Sequence, residues 1–297
     1  MSAQISVRIK AWFIVPLVAL QATTIAVAIV HGYRAPDLPS AACWLPPLGV
    51  AAAFLAFIGW LFRSRRARTS RQLPALQVTA GVAAVATAAC FSIHGPAAAL
   101  SGTLTLLTAA GILAYIHWYS RLARPASESL WVGSRLPHLE FTDLRGRKIS
   151  SVVFDGQPSI ILFYRGNWCP LCSAQVAELA AGYREIAATG TRVFLVSCQS
   201  RDETLSLAAR FDAPMEFLED AGGAMARRLG IFHSRGVPVG VRGFGKDTVL
   251  PTVIITDRTG RIVYVDQTDN YRVRPEPAEF LRVLGSLPVN DGASPAA

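Results

Sequence analysis

The sequence predicts an α-helical transmembrane region of four helices followed by an α/β domain. The chain has 297 residues, of which 52% are hydrophobic and only 16% are charged, an unusual balance for a soluble protein. The charged residues are also unevenly spread, because three long stretches contain no Asp, Glu, Lys or Arg: 11–33, 38–62 and 72–120. From about residue 133 the composition becomes that of a soluble α/β domain.

The three uncharged stretches are long enough for four membrane helices. A hydrocarbon core about 30 Å thick needs roughly 20 apolar residues in a helix. Gly95-Pro96 predicts a turn that divides the longest stretch in two. Core helices of soluble proteins usually carry a polar stripe, which these segments lack. We therefore expect membrane helices near residues 11–31, 41–62, 73–93 and 97–118.

The distribution of Lys and Arg predicts how these helices are oriented. The loop at 63–71 carries five Arg, whereas the loop between the third and fourth helices carries no Lys or Arg. Short loops rich in Lys and Arg stay in the cytoplasm. We therefore expect a multi-pass protein of the cell inner membrane, in contact with the lipid bilayer, with residues 120–297 on the cytoplasmic side. Much of the net charge of +9 lies in these loops, so we expect no nucleic-acid partner.

The predicted boundaries follow from these composition changes. Residues 1–120 are predicted to form the transmembrane region, 121–132 a polar linker, 133–288 the α/β domain and 289–297 a disordered tail. Within the α/β domain, an alternating pattern around Arg145-Gly146-Arg147 predicts a β-hairpin. Continuous apolar runs predict buried strands, and helical periodicity predicts the segments between them. Strand, helix, strand, helix, hairpin and closing helix fit one open sheet covered by helices.

The stretch GNWCPLCSAQ places two cysteines at the end of a predicted buried strand, where a helix begins. Unpaired backbone N–H groups and the positive end of the helix dipole would stabilise a thiolate at Cys169. Pro170 fits the first helical turn, and Cys172, one turn on, can close a disulfide with Cys169. Arg165 could add positive potential. We expect Cys169 to have the lower pKa of the pair and to be alkylated first.

Three interpretations of the cysteine pair compete. A zinc site needs further ligands, but the sequence has no second CxxC, and His138 and His233 are distant. A purely structural disulfide is unusual in a cytosolic domain. A reacting dithiol is therefore the main interpretation, with no metal and no other cofactor.

The CxxC in its strand–helix context, together with the later LPTVIITDRTGRIVY, resembles the thioredoxin superfamily. From GSRLPHLEFTDLRGRKI through IILFYRGNWCPLCSAQVAEL the chain is similar to the redoxin branch, the alkyl hydroperoxide reductase/thiol-specific antioxidant family that includes peroxiredoxin-like proteins. The resemblance covers roughly residues 133–287 and does not cover the membrane region. It implies a thioredoxin-like domain with antioxidant thiol chemistry.

The resemblance implies two different assignments of the site. In a peroxiredoxin-like assignment, Cys172 is the cysteine that attacks peroxide, while Cys169, Arg165 and Pro251 occupy positions where the family carries Thr, Pro and Arg. In a thioredoxin-like reductase assignment, Cys169 is the nucleophile and Pro251 is the cis-proline opposite it. Trp168 and Pro170 support the site in either case.

Three other cysteines are candidates for further redox chemistry. Cys198 ends the strand expected beside the one leading into the CxxC, and it is a candidate third redox thiol or a small core residue. Cys43 and Cys90 are expected near the outer membrane surface, across the membrane from the CxxC. They could form a disulfide, relay electrons, or be ordinary cysteines in apolar sites.

The leading functional expectation is a membrane-anchored, thiol-dependent oxidoreductase that reduces disulfides or hydroperoxides through Cys169 and Cys172. Thioredoxin, glutathione or another thiol would recycle the oxidised pair. The alternative is a non-enzymatic membrane redox sensor or a thiol-based assembly factor.

Overall fold

The computed structural model describes residues 3–288, so the predicted disordered tail at 289–297 lies outside the described residues. The chain forms two compact units. The first runs through Ala123 and also includes Ser234–Lys246 and Asp269–Val273. The second contains Arg124–His233, Asp247–Thr268 and the residues from Arg274 onward. The sequence predicted separate helical and α/β regions but not that two later segments would join the helical unit.

The helical unit contains four long helices and one short helix. Pro74 begins its helix, a position where proline sacrifices no hydrogen bond. Asp37 caps the short helix by accepting a hydrogen bond from the Ser40 N–H at 2.8 Å. A 3₁₀ turn, Gly95–Ala98, joins the last two helices, and a π-helical turn, Tyr115–Tyr119, follows. The helices are α1 (Ala3–Arg34), α2 (Leu38–Ala42), α3 (Leu45–Arg63), α4 (Pro74–His94) and α5 (Ala99–Ala114).

Small residues allow the long helices to pack closely. A Cβ atom added to Gly111 in α5 would lie 2.5 Å from Leu17 Cδ1 of α1. Beside this contact, the buried Gln21 donates from Nε2 to the Thr108 carbonyl at 3.4 Å. The core of the unit consists of buried apolar side chains: Leu17, Val50, Phe54, Leu73, Leu76, Ala80, Ala83, Ala109, Ile112, Tyr115 and Ile116.

Within residues 3–288, three stretches are long and apolar enough to cross a membrane: Arg8–Arg34, Leu38–Arg63 and Pro74–Tyr119. The sequence predicted four crossings because the Gly95-Pro96 turn divides the last stretch into two helices. That stretch has 46 residues, about twice what one crossing needs. It is interrupted at Gly95, whose φ of 54° and ψ of −133° lie outside the helical region. The apolar helices are therefore present, whereas a count of four crossings stays a proposal.

Two later chain segments are tied to the helical unit by hydrogen bonds. The Val239 N–H donates to the Ala11 carbonyl at 2.8 Å. Arg272 is fully buried, and its guanidinium donates to Ser120 Oγ at 2.8 Å and Thr69 Oγ1 at 3.0 Å. Two carbonyl groups, of Ser70 and Arg71, complete its partners. These bonds satisfy the donors of a buried guanidinium, which would otherwise be costly to desolvate.

The second unit contains a seven-stranded sheet, which confirms the predicted open α/β arrangement. The sheet strands are β1 (Glu140–Asp143), β2 (Lys148–Ser150), β3 (Ser159–Phe163), β4 (Arg192–Ser197), β5 (Glu216–Glu219), β8 (Thr252–Thr256) and β9 (Ile262–Asp266). Their order in the sheet is β2-β1-β5-β4-β3-β8-β9. Two short strands, β6 (Phe232–His233) and β7 (Thr248–Val249), form a separate pair.

Five helices accompany this sheet, and the predicted β-hairpin is confirmed as β1 and β2. The helical segment that follows the CxxC is divided at Gly182 into two helices. The helices are α6 (Pro170–Ala181), α7 (Tyr183–Ala188), α8 (Arg201–Ala208), α9 (Ala224–Arg228) and α10 (Pro277–Gly285).

Strand direction brings several loops to one edge of the sheet. The central strand β3 pairs in parallel with β4 and antiparallel with β8, which pairs antiparallel with β9. The carboxyl ends of β3, β4 and β9 and the amino end of β8 therefore lie at the same edge. The residues that follow β3, β4 and β9, and those that precede β8, are thus brought close together.

Candidate active site

The two cysteines of the CxxC lie where the sequence predicted, between β3 and α6. Cys169 is the N-cap residue of α6, with an extended backbone at φ −92° and ψ 110°. Pro170 is the first helical residue. Cys172 lies in the first turn and is fully buried, and Cys169 is only 2% exposed. Both sulfurs are free thiols rather than a disulfide.

A hydrogen-bonded glutamine fixes the loop that precedes the cysteines. Gln199, just after β4, accepts from the Asn167 N–H through Oε1 at 2.9 Å. Its Nε2 donates to Asn167 Oδ1 at 2.9 Å and to Tyr164 Oη at 3.2 Å. Gly166 has a φ of 140°, and a Cβ atom there would lie 2.8 Å from Trp168 Nε1. A side chain at this position would therefore strain the loop.

Cys172 is surrounded by hydrogen-bond donors. The Arg274 guanidinium donates from Nη2 to the Cys172 sulfur at 3.4 Å and from Nη1 to Gln175 Oε1 at 2.8 Å. The Arg165 backbone N–H donates to the same sulfur at 3.4 Å. Cys172 also accepts a hydrogen bond from the thiol of Cys169. These donors all favour a negative charge on the Cys172 sulfur.

This environment reverses the order of acidity that the sequence predicted. Burial opposes ionisation of Cys172, but the hydrogen bond from Cys169, the charge of Arg274 and the Arg165 N–H outweigh it and lower its pKa to about 5. Donating that hydrogen bond, together with burial, raises the pKa of Cys169 well above its ordinary value. The expectation that Cys169 is the more acidic thiol is therefore wrong. The position of Cys169 at the helix N-terminus does not make it the more acidic thiol, because the buried arginine and the hydrogen bonds lower the pKa of Cys172 instead.

The supporting residues also differ from part of the expectation. The guanidinium of Arg165 lies over the Trp168 ring, 4.6 Å from its centroid, and contributes positive potential to both cysteines. Pro251 immediately precedes β8 at the same sheet edge, and its carbonyl accepts from Arg124 Nη1 at 2.9 Å. Its peptide bond is trans, since no cis peptide occurs among the described residues, so the expectation of a cis-proline is wrong.

The candidate third thiol, Cys198, has a different environment. It follows β4, which pairs with β3 as predicted, and its thiol lies 4.0 Å from Asp220 Oδ2. Burial and the negative charge of Asp220 raise the pKa of Cys198 to about 12. Cys198 is therefore a protonated thiol at neutral pH, and a role as third redox thiol stays a prediction.

Arg274 and Gln175 are the site residues that sequence reasoning missed. Arg274 lies more than 100 residues after the CxxC, in the stretch NYRVRPEP between β9 and α10. The resemblance places the family's arginine at position 251, and that position is a proline here. The signal that could have revealed Arg274 is topological, because the carboxyl end of β9 lies at the same edge as the carboxyl end of β3.

Comparisons with known proteins show what the α/β region is similar to. Residues 132–265 match the sequence profile of the AhpC/TSA family. These residues, called the redoxin domain below, are similar to that family. The sheet to which they contribute has the topology of an open α/β sheet.

Two distant relatives show which chemistry accompanies such domains. The chain is similar to the chloroplastic peroxiredoxin Q of Sedum lineare, with 26% identity over 157 residues that cover 52% of this chain and 78% of that protein. It is also similar to the thiol-disulfide oxidoreductase ResA of Bacillus cereus, with 22% identity over 182 residues that cover 61% of this chain and 91% of that protein. These relatives support thiol oxidoreductase or peroxidase chemistry for the redoxin domain.

A solved structure, that of peroxidoxin BcpB from Mycobacterium tuberculosis, superposes with a TM-score of 0.44. The sequence identity is 19%, and the match covers 53% of this chain and 98% of that one.

Proposed function

We propose that this chain is a membrane-anchored, thiol-dependent peroxidase in which Cys172 is the attacking thiolate and Cys169 the resolving thiol. The observation that carries the proposal is the hydrogen bond of 3.4 Å from Arg274 Nη2 to the Cys172 sulfur. A fully buried thiol would otherwise stay protonated. The likeness to peroxiredoxin Q supports the same choice of chemistry.

The proposed cycle balances atoms and electrons. The Cys172 thiolate attacks one oxygen of a hydroperoxide, the O–O bond breaks, and the leaving alkoxide takes a proton to become an alcohol. Cys172 is then a sulfenic acid. Cys169 attacks its sulfur, water leaves, and a Cys169–Cys172 disulfide forms. Thioredoxin, glutathione or another cellular thiol then reduces this disulfide by exchange.

Arg274 is suited to stabilise charge in the first step. Its guanidinium presents several N–H donors in a fixed plane. One nitrogen bonds Cys172 and another bonds Gln175 at 2.8 Å, so the side chain is held in place before peroxide arrives. Donors fixed in advance at a site of developing charge lower the barrier without reorganisation during the reaction.

Burial of the pair favours a small substrate. Cys172 is fully buried and Cys169 is 2% exposed. A hydroperoxide can enter a space that a protein disulfide reaches only when the loop around the cysteines opens. A buried thiolate therefore favours peroxide over a folded protein as the first electron acceptor.

Disulfide reduction is the second candidate activity. The likeness to ResA and the position of Cys169 at the N-terminus of α6 favour it. In that reaction a cysteine thiolate attacks a substrate disulfide, and the other cysteine releases the product. A redox sensor or assembly factor without turnover is the remaining alternative.

We also propose that the helical unit crosses the inner membrane four times, with the redoxin domain in the cytoplasm. Apolar side chains remain exposed along one side of α4 at Val78, Val82 and Val85, each more than 60% exposed. Exposed apolar surface of this kind is expected where lipid covers a helix. The five Arg of the loop at 63–71 favour a cytoplasmic position for that loop. A reporter active only in the periplasm, fused after residue 125, should be inactive, and an active fusion would overturn the proposed side.

The test of the activity uses the full chain in detergent or lipid nanodiscs. With reduced thioredoxin present, we expect hydroperoxide to be consumed catalytically. Cys172→Ser should abolish consumption. With no external thiol present, Cys169→Ser should consume about one equivalent and then stop with Cys172 as a sulfenic acid, because that variant has no resolving thiol at position 169. If Cys169→Ser abolishes the first equivalent while Cys172→Ser retains it, the assignment is reversed. Turnover of a protein disulfide with no peroxide consumption would favour the reductase.

A further inference from the structure

The helical unit contains a second cysteine pair that the proposed peroxidase cycle does not use. Cys43 and Cys90 form a disulfide with a Cα–Cα distance of 5.7 Å. Cys43 directly follows α2 and begins the short connection to α3, and Cys90 lies four residues before the end of α4. Of the three outcomes that the sequence left open for these residues, the structure contains the disulfide.

A cavity of about 310 Å³ lies beside this disulfide and includes Cys43 in its wall. Volumes from about 300 Å³ upward are typical of small-ligand sites. Three basic or titratable side chains line it, His31, Arg34 and His94. The His31 ring stacks on Trp44, with ring centroids 4.7 Å apart. A disulfide that only links two chain segments does not require a neighbouring cavity lined by basic or titratable side chains.

The two sulfurs differ in exposure and in electrostatic surroundings. Cys43 is 6% exposed, whereas Cys90 is half-buried. Cys90 lies four residues before His94, the last residue of α4, so it is near the membrane surface in the proposed arrangement and is the easier sulfur to attack. Cys43 lies two residues before Leu45, the first residue of the 19-residue helix α3. The positive end of that helix and the Arg34 guanidinium in the cavity wall would both stabilise a thiolate at Cys43. The acidic neighbour, Asp37, is engaged by the Ser40 N–H at 2.8 Å.

We propose that Cys43–Cys90 is a second redox centre that exchanges with an external dithiol. One thiolate of the dithiol attacks the Cys90 sulfur, the Cys43–Cys90 bond breaks, and Cys43 leaves as a thiolate into the basic cavity. The second thiol of the reagent then attacks the mixed disulfide and releases Cys90. The dithiol is oxidised by two electrons to a disulfide, and Cys43 and Cys90 become two thiols. The reverse reaction passes the two electrons to an incoming disulfide.

This assignment follows the chemistry of exchange. A disulfide is reduced faster when the attacked sulfur is accessible and when the leaving thiolate is stabilised. Cys90 meets the first condition and Cys43 the second.

The test uses the full chain in lipid nanodiscs with Cys169, Cys172 and Cys198 all changed to Ser, so that only Cys43 and Cys90 can react. Dithiothreitol is the probe, and free thiols are trapped with a maleimide–polyethylene glycol that changes gel mobility. We expect two labels per chain at neutral pH without denaturant. The rate in the folded chain should equal or exceed the rate after unfolding in urea.

The cavity is tested with Arg34→Gln and His94→Gln together. Loss of positive charge should make Cys43 a poorer leaving group and slow exchange about tenfold. Arg65→Gln, in the loop after α3, is the matched control and should leave the rate unchanged. Labels that appear only after unfolding would overturn the proposal, and an unchanged rate in the double variant would overturn the role of the cavity. The comparison with and without urea is made on the chain that retains Arg34 and His94. It therefore decides whether the disulfide exchanges in the folded chain even if the double variant does not fold.

Discussion

Cys172 and Cys198 are both free thiols near the same edge of one sheet, yet their pKa values are shifted in opposite directions from the ordinary value of a cysteine. Cys172 is fully buried and Cys198 is half-buried. Burial alone would give Cys172 the higher pKa, because a low dielectric disfavours the thiolate. The structure has the reverse, with a pKa of about 5 at Cys172 and about 12 at Cys198.

The difference lies in the partners of each sulfur. Cys172 accepts from Arg274 and from the Arg165 backbone N–H. Cys198 faces the carboxylate of Asp220 at 4.0 Å. A cysteine near an active-site edge is therefore reactive only if the fold supplies a cation and hydrogen-bond donors to its sulfur.

Exchange of each thiol for Ser should give the largest contrast between the two sites. Cys172→Ser should abolish peroxide consumption, because the serine hydroxyl is not ionised at neutral pH. Cys198→Ser should keep turnover within about twofold of the unsubstituted chain, since surface and half-buried substitutions away from the reacting atoms have small effects. Both are measured as steady-state hydroperoxide consumption with thioredoxin. Equal losses in the two variants would contradict the assignment of Cys172 as the nucleophile.

Removal of the cation should make Cys172 behave more like Cys198. In Arg274→Met the pKa of Cys172 should rise, because desolvation then opposes ionisation without the guanidinium. Peroxide reduction at neutral pH should fall about 100-fold, as when a fixed charge-stabilising donor is lost. The pH dependence of thiolate absorbance in the ultraviolet measures the pKa of Cys172 directly, so the change in pKa can be separated from the loss of peroxide reduction.

Arg282→Met is the control for this experiment. Its side chain is 74% exposed and interacts with Glu279 on the same helix, so removing it changes no group at Cys172. Peroxide reduction and the ionisation of Cys172 should be unchanged. If Arg274→Met leaves the ionisation of Cys172 where it was, Arg274 is not the residue that stabilises the thiolate.

Removal of the acid near Cys198 should give the smallest change. Asp220→Asn removes the negative charge that contributes to the raised pKa of Cys198, so that pKa should fall. It should stay above the ordinary value, because burial is the larger cause. The two oxygens of Asp220 accept separately from the Met225 and Ala226 N–H groups, at 2.9 and 2.7 Å. Asparagine keeps only one of these acceptor oxygens, so the variant should lose one hydrogen bond and about 1 kcal/mol of stability. Cys198 alkylation against pH and thermal unfolding measure the two effects, and a rise in the pKa of Cys198 would contradict them.

The fold was largely predictable because its signals are local. Apolar runs without charge indicated the helices of the first unit, and short apolar runs indicated β3, β4 and β8. The sequence did not predict that the helical unit includes residues 234–246 and 269–273. That arrangement depends on hydrogen bonds between residues far apart in sequence, such as those of Arg272. The fully buried guanidinium of Arg272 has no local pattern that marks it.

The candidate site was predictable only in part for the same reason. The strand–helix position of Cys169 and Cys172 follows from adjacent residues. The order of their acidities depends on Arg274, which is far away in sequence and reaches the site through strand direction. The sequence correctly placed Cys169 at the N-cap of α6. That position affects the order of the two pKa values less than the donors to the Cys172 sulfur do. The Cys43–Cys90 disulfide likewise joins residues that are 47 positions apart.

The central claim is that Cys172 is the thiolate at neutral pH and that Cys169 donates to it. The most direct measurement is alkylation of the reduced chain by iodoacetamide across a pH series, with the modified cysteine located by peptide mass spectrometry. A thiol is unreactive below its pKa and reactive above it. Modification of Cys172 should therefore have its midpoint near pH 5 and a plateau through neutral pH, following its pKa of about 5. Cys169 should be modified after Cys172, because its hydrogen bond to Cys172 and burial raise its pKa. Modification of Cys169 first, with Cys172 protected, would contradict the account.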